Sequence, residues 1–247
     1  MLRHDTTGKS RFYTILHRNK RNHWPSCRWR TTTEGHRLEQ GKKLLEAINL
    51  QCVRGERRLF HRLSFQVRAG ECLLIQGENG SGKTSLLRML LGLTPPANGT
   101  VCWNGRPIKQ WGNEYGRELL YCGHAPGLKE ELSATENLHF NSNLANVTVG
   151  SAAVQHALHH AGLQGREHLP VRVLSQGQKR RVNLASLLLQ KRALWVLDEP
   201  LAALDAQAMQ WVSKIIDRHL SEGGLAVLTT HHDIALACPP QVIQVGK

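Results

Sequence analysis

Long hydrophobic runs are missing from this sequence. The longest, LASLLLQ at 184–190, falls far short of the roughly 18 apolar residues that a membrane-spanning helix needs. A soluble chain is expected, one that reaches a membrane only as a peripheral protein. Cysteine pairs are missing as well. Six cysteines, at 27, 52, 72, 102, 122 and 238, form no C-x-x-C. Without that spacing they read as reduced thiols of a cytosolic protein, several of them inside apolar strands. No C-x-x-C-H occurs either, so covalent c-type haem attachment to this chain is not indicated. Histidine is plentiful at 14 residues, yet the only doublets are His159-His160 and His231-His232. Neither has a metal-ligand spacing with other ligands nearby. No internal repeat is evident.

Acidic residues are scarce, 19 against 32 lysines and arginines, for a net charge of +13. The imbalance is local. Residues 1–43 hold eleven basic and three acidic residues, which is +8 of the total, and the other residues carry +5. The basicity belongs mostly to one terminal segment, so no nucleic-acid partner is expected for the chain as a whole. That segment lacks a period of 2 or 3.6 and lacks the apolar core of a secretory signal. Its Arg-rich, acid-poor composition superficially suits an organellar transit peptide, but no amphipathic stripe is sustained. Disorder is the expectation for residues 1–43, with a misplaced start codon and a basic arm toward anionic lipid or RNA as alternatives.

From Leu44 the pattern changes to that of a folded domain, and the 247 residues leave room for a substantial core. LLEAINLQCV and RLFHRLSFQV read as strands. In the second, Leu63, Phe65 and Val67 alternate with Ser64, Gln66 and Arg68, the signature of a half-buried sheet. TVCWNGRPI at 100–108 carries an Asn104-Gly105 hairpin turn. ALWVL at 193–197 and LAVLTT at 225–230 fit buried strands. Between them Met209, Val212, Ile215, Ile216 and Leu220 recur at helical spacing after Asp205. The polar stretch of about 125–175 reads as helical and interrupts the core. The sum is an α/β domain over 44–247 with an antiparallel β element in front and an inserted helical subdomain.

The stretch GENGSGKT, Gly77-Glu78-Asn79-Gly80-Ser81-Gly82-Lys83-Thr84, matches the phosphate-loop pattern G-x-x-x-x-G-K-[ST]. The apolar run ECLLIQ precedes it and the leucine-rich GKTSLLRMLLGL follows from Gly82, so the loop lies between a strand and a helix, as the chemistry requires. Glycines let the backbone curl with its N–H groups inward, and those groups and the helix N-terminus bind anionic oxygens. Lys83 would reach the β- and γ-phosphates, the Thr84 hydroxyl would ligate Mg²⁺, and Ser85 completes the cofactor-binding set. A second element holds the metal through water. Asp198 ends the apolar strand of ALWVLDEP and is the second expected metal residue. Glu199 follows directly, where a carboxylate can orient or deprotonate the attacking water.

LSQGQKRR at 174–181 resembles the signature motif of ABC ATPases, usually L-S-G-G-Q. Ser175, Gly177 and Gln178 match, and Gln176 replaces the first glycine. Ser175 can also cap the helix that follows. LAALD at 201–205 resembles the family's D-loop, and TTHHD at 229–233 supplies its switch histidine, with His231 preferred over His232 because it follows the strand directly. Five ordered motifs thus carry the resemblance over 44–247. It implies an ABC-type P-loop fold, ATP and Mg²⁺ as cofactors, and a head-to-tail sandwich with a second copy in which Ser175, Gly177 and Gln178 grip the γ-phosphate bound by the other subunit.

LLYCGHAPGLKEELSATENL at 119–138 resembles a narrower group, the cytochrome c biogenesis ATPases of the CcmA-type haem exporter, as does CVRGERRLF at 52–60. This implies a peripheral ATPase on the cytoplasmic face of the bacterial inner membrane, bound to integral-membrane permease subunits and serving haem delivery to a periplasmic chaperone. In that family the loop after position 124 touches the membrane partner. Two positions depart from general ABC practice. Arg54 stands where an aromatic ring usually meets adenine, and a guanidinium can stack there instead. His124 stands at the usual Q-loop glutamine and joins Glu199 and His231 as a candidate catalytic residue. An ABC ATPase for another substrate is the nearest alternative. A DNA-repair member needs a coiled-coil insertion and a translation factor needs two nucleotide domains, and this chain has neither.

Overall fold

The computed structural model describes residues 43–246. The expectation for residues 1–43 therefore lies, but for Lys43, outside the described residues. The architecture is two sheets with helices between and around them. The antiparallel sheet has the order β2-β1-β4-β5, from β1 (Leu44–Arg54), β2 (Arg57–Arg68), β4 (Asn98–Trp103) and β5 (Arg106–Pro107). The parallel sheet has the order β6-β7-β8-β3-β9, from β3 (Cys72–Gln76), β6 (Leu119–Cys122), β7 (Leu194–Asp198), β8 (Leu225–Thr229) and β9 (Gln241–Gln244). The helices are α1 (Lys83–Leu90), α2 (Asn113–Glu118), α3 (Ala134–Leu144), α4 (Ser151–His160), α5 (Gln176–Leu189) and α6 (Ala206–Ser221).

The central strands are apolar on both faces because both faces are covered. Leu73 and Ile75 of β3, Leu194 and Val196 of β7, and Leu225 and Val227 of β8 face one core, shared with α1 and the antiparallel sheet. Leu74, Trp195, Leu197, Ala226 and Leu228 face a second core made with α5 and α6. A third apolar cluster joins α3, α4 and α5 through Leu138, Leu158, Leu163 and Val182. The hairpin turn forms at Asn104-Gly105, with φ of 51° and 76°, the two left-handed residues that such a turn demands. Cys52, Cys72, Cys102 and Cys122 are all buried in strands.

One buried polar side chain sets an acid limit. The His219 ring on α6 stacks on Trp195, with centroids 3.8 Å apart and planes 4° from parallel. Its Nε2 lies 3.0 Å from the Leu225 carbonyl. Gly224 makes the close approach possible, since a Cβ there would lie 2.1 Å from the ring. Burial pushes the His219 pKa from its ordinary 6.5 down to about 4, against the opposing pull of the Leu225 carbonyl. The unfolded chain therefore binds this proton first as pH falls. Stability should decline from about pH 6.5 toward pH 4, by on the order of 3 kcal/mol in all. Urea midpoints measured across that window should drop, and His219→Phe, which keeps a ring but cannot be protonated, should flatten that limb. An equal drop in the variant would place the acid sensitivity elsewhere.

Candidate active site

In an open parallel sheet, binding sites form beyond the carboxyl ends of the strands. Here β3, β7 and β8 end side by side, and a cleft of about 790 Å³ opens at their ends. Residues 77–82 leave β3 and enter α1. Gly77 has no room for a side chain: a Cβ would lie 2.5 Å from the Val245 carbonyl and 2.6 Å from the Ser81 hydroxyl. Gly82, at φ 109°, is the residue before α1 and packs against Leu59 and Phe60 of β2. Glu78, Asn79, Gly80, Gly82, Lys83, Thr84 and Ser85 line the cleft. Ser81 is buried beneath the loop and its hydroxyl has no hydrogen-bond partner among the described residues. The Lys83 ammonium folds back onto the loop, donating to the carbonyls of Gly77 at 2.7 Å and Glu78 at 3.2 Å.

β7 carries the acidic pair into the same cleft. Asp198 is 4 % exposed, and its Oδ1 accepts the Thr229 hydroxyl at 2.6 Å. Thr229 is its register partner at the end of β8. Glu199 leaves the strand with φ 51°, a left-handed conformation that costs a non-glycine residue about 1–3 kcal/mol and persists only when neighbours enforce it. Its N–H is shared between the Thr229 carbonyl and hydroxyl, each at 3.0 Å. Its carboxylate receives the His231 backbone N–H at 3.3 Å and lies 3.5 Å from His231 Nε2. The same Nε2 lies 3.4 Å from the Lys83 ammonium. One nitrogen cannot accept from Lys83 and donate to Glu199 at once.

Of the histidine doublet, His231 is the one whose ring lies near both Lys83 and Glu199. His232 also lines the cleft, but its backbone is engaged with the Thr230 hydroxyl. His124, exposed at the end of β6, lines the cleft from the opposite side to the loop's own strand. Arg54 lines it too, together with Arg57 and Arg88, which the motifs did not single out. With Lys83 these bring four cationic side chains to the cleft that Asp198 and Glu199 also line, a charge arrangement suited to a polyphosphate and a divalent cation. Thr84, exposed on the first turn of α1, and Asp198, whose Oδ2 accepts no hydrogen bond from a described residue, present oxygen donors suited to Mg²⁺.

Ser175, Gly177 and Gln178 do not line this cleft. Ser175 caps α5, accepting from Gln178 N at 3.2 Å while Gln178 Oε1 accepts from Ser175 N at 3.0 Å. Gly177 packs so closely on the 201–205 segment that a Cβ would lie 2.6 Å from the Ala203 carbonyl. Ser175 itself is exposed.

Comparison with known proteins agrees with this geometry. The ABC transporter family profile matches residues 60–202. The cytochrome c biogenesis ATP-binding export protein CcmA 1 of Cupriavidus metallidurans is 50 % identical over 205 residues, covering 83 % of this chain and 99 % of that protein. The CcmA protein of Pseudomonas aeruginosa is 51 % identical over 203 residues, covering 82 % and 100 %. Among solved structures, a protein of Pyrococcus furiosus assigned as an ABC transporter ATP-binding protein superposes with a TM-score of 0.71 at 26 % identity, over 82 % of this chain and 97 % of that one. An ATP-binding cassette solved as a dimer with ADP and Pi shares the fold, with a TM-score of 0.67 at 20 % identity, over 76 % of this chain and 88 % of that one.

Proposed function

The chain belongs to the ABC transporter family, among its cytochrome c biogenesis ATP-binding export proteins, and from that premise we propose that its ATP hydrolysis drives haem export and delivery in c-type cytochrome maturation. The observation that carries this reading is the identity of about half the residues over essentially the whole length of the CcmA relatives. The cleft supplies the chemistry. The loop N–H groups, Lys83 and the start of α1 bind the β- and γ-phosphates. Arg54 takes the adenine plane. Thr84 and Asp198 would hold Mg²⁺, which would supply neutralisation of charge on the phosphates. Glu199 accepts the proton of the attacking water, and His231 and His124 orient that water and the γ-phosphate.

Among the described residues no helix is long and apolar enough to cross a membrane. The subunit is therefore proposed to sit peripherally on integral-membrane permease subunits at the cytoplasmic face of the inner membrane, with the loop after His124 as the contact. Deleting the chain in its source cell should abolish haem staining of c-type cytochromes. Wild type should restore it and Glu199→Gln should not. Normal c-type cytochromes in the deletion would instead favour an ABC ATPase for another substrate.

The exposed Ser175 calls for a second copy. Ser175→Arg mixed with Lys83→Ala should leave at most one of the two composite sites intact, so the mixed assembly should not exceed half the wild-type rate. Full ATPase activity from a monomer would rule out the sandwich.

A further inference from the structure

We propose that Arg180 is the positioning residue that locks Glu199 and the backbone at His124 into one unit, an inference that rests on the reading of Glu199 as the base. Residues 179–181, Lys-Arg-Arg, look in sequence like one solvated cationic stripe. The fold sends them three ways. Lys179 pairs with Glu130 at 3.0 Å, and Arg181 pairs with Asp205 at the start of α6. Arg180 turns inward and is 3 % exposed.

The buried guanidinium forms no ion pair among the described residues; its fork is spent on carbonyls. Nη2 donates to the carbonyls of Asp198 and Glu199, both at 2.6 Å. Nη1 donates to the Gly123 carbonyl at 2.6 Å and lies 3.4 Å from that of His124. Two adjacent strand ends, those of β6 and β7, are thereby tied by one planar group. Burial lowers the Arg180 pKa from its ordinary value, the sign that the charge is held there at a cost. An apolar side chain here would leave the carbonyls of Gly123, Asp198 and Glu199 without this donor, so the cation is what couples the two strand ends.

What the cation holds is the strained residue. Glu199 at φ 51° is fixed on its N–H side by Thr229 and on its carbonyl side by Arg180. With both flanking peptides pinned, the side chain leaves a fixed backbone, and its carboxylate meets the His231 backbone N–H at 3.3 Å. The other half of the fork fixes where the chain leaves β6 and so where His124 enters the cleft. A lysine offers its donors from a single point and cannot span both strand ends.

The test compares Arg180→Lys and Arg180→Met in the full-length chain, measuring ATPase turnover and the affinity of a fluorescent ATP analogue. Turnover should fall about 10²-fold, the scale of a small misplacement of a catalytic group, with analogue affinity unchanged within about threefold. In a Glu199→Gln background, Arg180→Met should cause a much smaller loss than in wild type, because the part that acts through the Glu199 carboxylate is already gone and only the part through His124 remains. Wild-type turnover in either variant, loss of analogue binding in both, or multiplicative losses in the double variant would overturn the proposal. If Glu199→Gln alone retains full turnover, the base assignment has failed first, and the two failures are told apart.

Discussion

Glu199→Gln is expected to lower ATP turnover by about 10²–10⁴-fold, the range for loss of a general base, while ATP stays bound. The substitution keeps size and keeps an oxygen that can accept the His231 backbone N–H, now at 3.3 Å from the carboxylate. The left-handed backbone at φ 51° should survive, because Thr229 and Arg180 enforce it through main-chain groups. Only proton acceptance is lost. The cationic side chains of Lys83, Arg54, Arg57 and Arg88 are untouched and gain relative to the nucleotide, since one negative charge leaves the cleft. The expected product is an ATP-loaded dimer that dissociates slowly, visible as a larger species in size-exclusion chromatography when ATP is present. Near-normal turnover in the assembled complex would end the assignment of Glu199.

The sequence made much of this legible, for physical reasons that differ from element to element. The phosphate loop was readable because curled backbone around an anion demands glycine at fixed positions, and the fold places no side-chain volume at Gly77 or Gly82. Strands β3, β7 and β8 were readable as continuous apolar runs because they are covered on both faces. The pairing of Asp198 with Thr229 was not readable. Register between parallel strands is set by packing of distant segments, and a threonine at a strand end carries no mark of the carboxylate beside it. Arg180 was hidden for a similar reason. Three successive cations have one composition whether they face water or not, and only the turn of α5 against β6 and β7 decides which is buried. The left-handed Glu199 was likewise invisible, since glutamate has no preference that announces it. The approach of the His231 ring to both Lys83 and Glu199 was not readable either, since it joins segments far apart in the chain.

Lys83→Ala should fail at an earlier step than Glu199→Gln, and that contrast separates binding from chemistry. The Lys83 ammonium is engaged with two loop carbonyls and His231 Nε2. These contacts keep the side chain at the mouth of the loop, where an incoming phosphate replaces neutral acceptors with charged ones. A hydrogen bond to a charged group contributes about 1.5–3 kcal/mol, and one ammonium can serve oxygens of both the β- and γ-phosphates. Removing it should weaken ATP binding by roughly 10–10²-fold, and turnover at any fixed sub-saturating ATP should fall at least as far. ADP, which lacks the γ-phosphate, should lose less. Titration of fluorescent ATP and ADP analogues against wild type, Lys83→Ala and Glu199→Gln gives the comparison directly. The loop itself should hold its shape, because Gly77 is fixed by Val245 and Ser81 and Gly82 by Leu59 and Phe60, none of which involves the lysine. Should Lys83→Ala bind ATP as tightly as wild type, the phosphates are held by the loop backbone and the arginines, and the role given to Lys83 is wrong.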